Sequence, residues 1–170
     1  GGFQAKYGDK LSSVLDITYR TPTEFAAGVS ASLLGASANI EGRLLNNKLS
    51  ALVGMRYQNN SLLKNSKDIE TNTQPNFTDV QLYLSYLINS KLKIDFLGVY
   101  SLNNYNYTPI SRRTKFGTLS EPLELIVYYD GQEKDSYETL SGALNGTYVV
   151  NENLNLGLTT SVYHTIEQQH

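Results

Sequence analysis

The sequence predicts an all-β chain forming part of a transmembrane antiparallel β-barrel, and three observations carry that reading. Apolar residues recur at every second position along most of the chain, which is the periodicity of strands rather than helices. The connections between these stretches alternate between tight turns and long polar loops. No apolar run nears the roughly 20 residues that an α-helix needs to cross a bilayer, a test that leaves spanning strands unaddressed.

Taken in order, Phe25, Ala27, Val29, Ala31 and Leu33 form the first apolar face, and a softer strand runs from about Ala36 to Leu45. In Lys48 to Tyr57, Leu49, Ala51, Val53, Met55 and Tyr57 share one side while Ser50, Gly54 and Arg56 share the other. Val80, Leu82, Leu84, Tyr86 and Ile88 line the next strand. In Lys91 to Asn103, Leu92, Ile94, Phe96, Gly98, Tyr100 and Leu102 oppose Lys93, Asp95, Ser101 and Asn103, with Leu97 and Val99 as exceptions. A second softer strand runs from about Tyr137 to Val150, with Leu140, Leu144, Tyr148 and Val150 on one face. Leu154, Leu156, Leu158, Thr160 and Val162 complete the series. About seven strands therefore follow Pro22. At roughly ten residues or more they exceed the usual five or six and match a tilted strand that crosses a bilayer.

Asn46-Asn47, Asn89-Ser90 and Asn151-Glu152-Asn153 read as tight turns, because Asn tolerates positive φ. Residues 59–76 and 104–135 read as long loops, polar and carrying Pro75, Pro109 and Pro122. Short turns at one end and long loops at the other is the layout of outer-membrane barrels. If the first strand runs outward, the turn at Gly35 falls outside and every later tight turn falls on the periplasmic side. Tyr57, Tyr83, Tyr86, Tyr100, Tyr105, Tyr107, Tyr148 and Tyr163 cluster at strand ends and loops, as interfacial aromatic girdles would. Tyrosine is also simply a good strand former.

Composition narrows the function classes. Of 170 residues, 40% are apolar and 18% charged, the balance being rich in Asn, Ser, Thr, Gly and 13 Tyr. The formal charge of -2 leaves no footprint for nucleic acid. With no Cys, disulfide frameworks, thiolate enzymes and iron–sulfur sites are excluded. No phosphate-binding glycine loop, HExxH, GxSxG or EF-hand spacing occurs, so the chain reads as no enzyme and as needing no cofactor or metal. His164, placed at a strand end, and His170, at the terminus, have no second ligand at a recognisable spacing. Asp68 with Glu70, and Glu133 with Asp135, read as solvated loop carboxylates. Arg112 and Arg113, with Lys115 and beside Tyr105 and Tyr107, form a candidate extracellular ligand loop for an anionic or sugar-like molecule. A surface loop that contacts the acidic lipopolysaccharide layer, or that binds nothing, is the plainer account of it.

The stretch YGDKLSSVLDITYR, Tyr7 to Arg20, resembles the end of the plug domain of TonB-dependent receptors, outer-membrane transporters of Gram-negative bacteria. The matching positions are Tyr7, Gly8, Ser12, Ser13, Val14, Asp16, Ile17, Thr18 and Arg20; Ser12-Ser13 and Asp16 depart from the commoner Gly pair and Asn, as in one large subset of these receptors. Gly1-Gly2-Phe3 with Ala5 and Lys6, then Phe77, Asp79 and Gln81, Phe116-Gly117, and GQEKDSY from Gly131 to Tyr137 resemble the same subset less specifically. The resemblance implies that residues 1–22 end a plug and that 23–170 begin a barrel of 22 strands in that family. It implies plug–barrel contact through Tyr7, Gly8, Ser12, Ser13, Asp16 and Arg20, with Glu41, Arg43, Arg56, Lys93 and Asp95 facing plug residues such as Lys6, Asp9 and Lys10.

The implied function is energised uptake of a scarce nutrient across the bacterial outer membrane. The implied partners are outer-membrane lipid and lipopolysaccharide, the remainder of the barrel, TonB at the periplasmic face and a surface lipoprotein lid. About seven strands cannot close in lipid, so the native protein is expected to extend beyond Gly1 and His170. Three alternatives stay open: a receptor-like barrel serving as a structural subunit of an outer-membrane assembly or secretion complex, a small closed barrel in which Leu11 to Tyr19 is an eighth strand, and a soluble β-sandwich that binds sugar or protein.

Overall fold

The computed structural model describes residues 8, 13–14, 16–59, 73–107, 112–118, 122–128 and 131–169. Nine strands are present among them: β1 (Ala26–Ser32), β2 (Gly35–Leu44), β3 (Leu49–Asn59), β4 (Thr73–Leu87), β5 (Leu92–Tyr107), β6 (Arg112–Gly117), β7 (Pro122–Val127), β8 (Glu133–Asn151) and β9 (Leu154–Gln169). Seven form one antiparallel sheet in the order β1-β2-β3-β4-β5-β8-β9, while β6 and β7 pair only with each other. No helix long and apolar enough to cross a membrane occurs among the described residues.

Asparagine builds all three tight turns. Leu45, Asn46 and Asn47 adopt left-handed φ values of 53°, 53° and 67°, and the Lys48 amide donates to the Leu45 carbonyl at 3.2 Å. That is the backbone twist a right-handed hairpin needs. The Asn89 side-chain oxygen accepts from the Lys91 and Leu92 amides, both at 2.9 Å, and the Asn151 oxygen accepts from the Asn153 amide at 3.0 Å. These three turns share one end of the sheet. The Leu33-Leu34 turn and both long connections share the other.

The strands run further than apolar alternation indicated. β4 begins at Thr73, β5 reaches Tyr107 and β8 begins at Glu133, so the ends of both expected loops are sheet, and the longer one also holds the β6–β7 hairpin. Tyr105, Tyr107, Glu133 and Asp135 therefore stand on strands, and His164 lies inside β9 opposite Leu140. Pro75, without an amide hydrogen, is accommodated beyond the last β3 partner, the Asn59–Asn76 pair. Residues 16–25 contain no strand, so this stretch adds no eighth strand to β1.

Register separates the two faces cleanly. One face carries rows such as Val53–Leu82–Gly98–Gly142–Val162 and Met55–Val80–Tyr100–Leu140–His164. It is apolar from the row Leu92–Tyr148–Leu156 up to the row Tyr57–Thr78–Leu102–Glu138–Ile166, and gives way to Asn59, Asn76, Asn104, Ser136 and Gln168 one row higher. Rings fill gaps left by its glycines: a Cβ on Gly98 would meet the Phe96 ring at 3.3 Å, and one on Gly42 would meet Phe25 at 3.6 Å. The opposite face is polar, with Ser37, Asn39, Glu41, Arg43, Arg56, Asp79, Asp95 and Asn145. No hydrophobic side chain among the described residues is buried; Pro22, Glu41, Ser50 and Ser85 are.

Tyrosines divide between these faces. Tyr86 and Tyr148 lie on the apolar face near the tight turns, and Tyr57 and Tyr100 lie on it near the other limit of the apolar band. Tyr83, Tyr105, Tyr107 and Tyr163 share the polar face instead. Of the eight tyrosines expected in girdles, four thus lie on the apolar face and four on the polar one.

Candidate functional site

The polar face carries two arrangements, a seat for residues 19–22 near the tight-turn end and an aromatic cavity at the long-connection end. At the seat, β2 and β3 present Glu41, Arg43 and Ser50, each on the polar side because strand residues two apart point the same way. Arg43 Nε donates to the Pro22 carbonyl at 2.9 Å and Ser50 Oγ donates to it at 3.3 Å. Arg20 Nη2 lies 2.6 Å from Glu41 Oε2. This is an ion pair without an aligned hydrogen bond, so that oxygen stays underserved although Glu41 is 8% exposed. Tyr19 stacks on Tyr83 with ring centroids 5.0 Å apart, and its hydroxyl donates to Gln81 at 3.0 Å.

Between the seat and the cavity, the charges of the polar face satisfy one another. Arg56 donates through Nε and Nη2 to Asp79 Oδ2, at 3.0 and 2.5 Å, and Ser101 donates to the other Asp79 oxygen at 3.0 Å. Asp95 is a second hub: it pairs with Lys93 at 3.0 Å and accepts from Tyr83 at 3.0 Å and from Asn145 at 3.3 Å. Thr159 on β9 donates to Asn145 at 2.9 Å, extending the chain across four strands. Leu97 and Val99, the exceptions to alternation, sit in this face opposite Tyr83 and Gln81.

Of the expected plug–barrel residues, Arg20 contacts the sheet through Glu41. Asp16 is exposed with an interaction of its own, while Gly8 and Ser13 are exposed and a Cβ on Gly8 would meet nothing within 4 Å. Tyr7, Ser12, Lys6, Asp9 and Lys10 lie outside the described residues, as do Asp68, Glu70 and His170. Of the five sheet charges expected to face the plug, Glu41 and Arg43 meet residues 20–22, whereas Arg56, Lys93 and Asp95 meet other sheet residues. Tyr19 and Pro22 were not singled out as contacts; their nearness to Arg20 and to the first strand was the available hint.

At the far end, Phe77, Tyr105 and Tyr137 form an edge-to-face series with centroids 5.8 and 5.9 Å apart. Register sets Tyr105 opposite Asp135 and Tyr107 opposite Glu133. These residues with Asn103 and Tyr137 line an open cavity of about 630 Å³. Tyr137 stands one row beyond the apolar band, where the Glu167 carboxylate, then partial burial and Asp135, push its phenol up. The candidate ligand residues are thus divided. Tyr105 and Tyr107 stand with carboxylates, while Arg112 and Arg113 are on β6, where Arg113 lies 4.0 Å from Glu124 across the separate hairpin. No group of three or more His, Asp or Glu side chains is placed to hold a metal among the described residues.

Comparison of the chain with protein-family models, with curated proteins and with solved structures found no match.

Proposed function

We propose that this chain is part of a plugged outer-membrane β-barrel, a TonB-dependent receptor that takes up a scarce nutrient, with residues 1–22 ending the plug and 23–170 beginning the barrel. The observation that carries the reading is the inversion of the sheet. Its polar face holds the covering segment 19–22 and the buried Glu41, Ser50 and Ser85, while its apolar face is bare: Val29 is 83%, Leu158 75% and Val162 72% exposed. In a water-soluble sheet the covering segment belongs on the apolar side. In a barrel whose lumen is filled by a plug, it belongs on the polar one.

Dimensions support the same reading. From Leu92 to Leu102 the apolar band spans ten residue steps, about 34 Å along the strand at ~3.4 Å each and about 26 Å of depth at a tilt of ~40°. The expected band is ~25 Å tall. The outer edges of β1 and β9 have no pairing strand among the described residues, and the hydrocarbon core leaves no edge unpaired, so neighbouring strands complete the barrel. The test is to fractionate cells making the native polypeptide. It should sit in the outer membrane, require detergent for extraction, and migrate on gels as a heat-modifiable species several times 18.9 kDa. Uptake that ceases when the TonB system is removed would separate transport from a structural role in an assembly complex. A monodisperse protein extracted without detergent would overturn the barrel.

A further inference from the structure

We infer that the cavity at the long-connection end binds a small organic cation, an ammonium or guanidinium group carried on a short peptide. The inference rests on the transport reading for the ligand's role as cargo, and on the sheet itself for its chemistry. The cavity is large enough for a tripeptide, at about 630 Å³. Its walls are tyrosine rings from β5 and β8, held edge to face against one another, so they present fixed π surfaces. Glu133 and Asp135 alternate with these rings across the strand pair. Ring faces beside carboxylates are the surroundings a desolvated ammonium or guanidinium group prefers, the ring quadrupole and the carboxylate attracting the same charge.

The distribution of cations on the same face points the same way. Glu41 is paired with Arg20, Asp79 with Arg56 and Asp95 with Lys93. Glu133, Asp135 and Glu167 have no Lys or Arg partner among the described residues, and Glu133 is served only by the neutral Gln169 amide at 2.9 Å. The sheet neutralises its carboxylates below the cavity and leaves them uncompensated around it. A site for an anion would need the reverse.

The test uses the full-length protein in detergent, titrated calorimetrically with trilysine, with trilysine acetylated on every amine including the N-terminal one, and with maltotriose. Trilysine should bind. Acetylation, Asp135→Asn and Glu133→Gln should each weaken binding by about tenfold, as expected when a charge-assisted contact becomes neutral. Tyr105→Leu should weaken it severalfold, whereas Arg113→Gln on the separate hairpin should not. Both carboxamide variants are isosteric, Glu133 being exposed and Asp135 half-buried, and unchanged heat-modifiable migration verifies that each is folded. No trilysine binding, equal binding of the acetylated peptide or of maltotriose, or affinity insensitive to the two carboxamide variants would each overturn the inference. Fractionation reads the barrel separately, so a correctly inserted protein that ignores trilysine refutes the cation site alone.

Discussion

Replacing Val162 by lysine puts a cation in the middle of the apolar face. The residue sits in the row Val53–Leu82–Gly98–Gly142–Val162, four steps from Ile166 at the top of the band and six from Leu156 at its base. At ~3.4 Å per residue and a tilt of ~40°, that is about 10 Å and about 16 Å of depth, close to the midplane. A lysine there should cost about 2–4 kcal/mol, and one at Leu156, near the interface, about 0–1 kcal/mol. Ser161→Lys, one residue away on the polar face, should cost under about 0.5 kcal/mol, as surface changes generally do. The assay is equilibrium unfolding in urea of the full-length protein inserted in lipid vesicles, read by heat-modifiable mobility. A gap of about 3 kcal/mol between Val162→Lys and Leu156→Lys is a shift of more than a hundredfold in the folded ratio. Val162 is already 72% exposed in the sheet, so without a lipid phase contacting it the substitution would be close to neutral. Equal costs at the two depths, or a Ser161→Lys cost matching Val162→Lys, would refute the assignment of lipid to this face.

Other substitutions probe the seat and the turns. Arg20→Ala should destabilise by about 1–3 kcal/mol, because the 8%-exposed Glu41 loses its cation; a double-mutant cycle with Glu41→Gln in the same assay should recover most of that as coupling. Gly35→Ala should cost about 1–3 kcal/mol, since an added Cβ would overlap the Tyr57 carbonyl oxygen in the neighbouring strand. Leu45→Asn should stabilise by about 0.5–1 kcal/mol, because Leu45 holds φ at 53° while 63% exposed and gives up little packing. A shift of the urea midpoint in the opposite direction would refute each.

The fold was legible wherever one face was apolar and the other polar. Leu49 to Tyr57 alternates cleanly, and its register matches the alternation. Beyond the apolar band that contrast vanishes, since Asn104 and Asn106 on one face are as polar as Asn103 on the other. Strands there are held by ladder hydrogen bonds and by cross-strand contacts such as Phe77–Tyr105–Tyr137 that alternation does not announce, so β5 and β8 continue through Tyr107 and Glu133 beyond the legible pattern. The β6–β7 hairpin, six residues a side, was too short for its periodicity to register.

The site was less legible because its contacts are remote in sequence. Tyr19 meets Tyr83 and Gln81 across more than 60 residues, a pairing that only the strand order creates. The charge of the cavity was hidden for the same reason. Arg112 and Arg113 are nearer in sequence to Tyr105 than Asp135 is, yet the ladder places Asp135 directly opposite Tyr105. Likewise, nothing in the spacing of the tyrosines tells which of the two faces each one joins.

The direct pairing of β5 with β8 bears on how this chain can change over evolutionary time. Tyr107 faces Glu133 across the ladder, so residues 108–132 form an excursion whose two ends are held side by side, with a hairpin that pairs only with itself. Every ladder in the main sheet forms without them. That stretch can lengthen, shorten or be exchanged at a closure cost that grows only logarithmically with its length. The register of seven strands is insulated from such edits, and the connection can vary without altering the β5–β8 wall of the cavity.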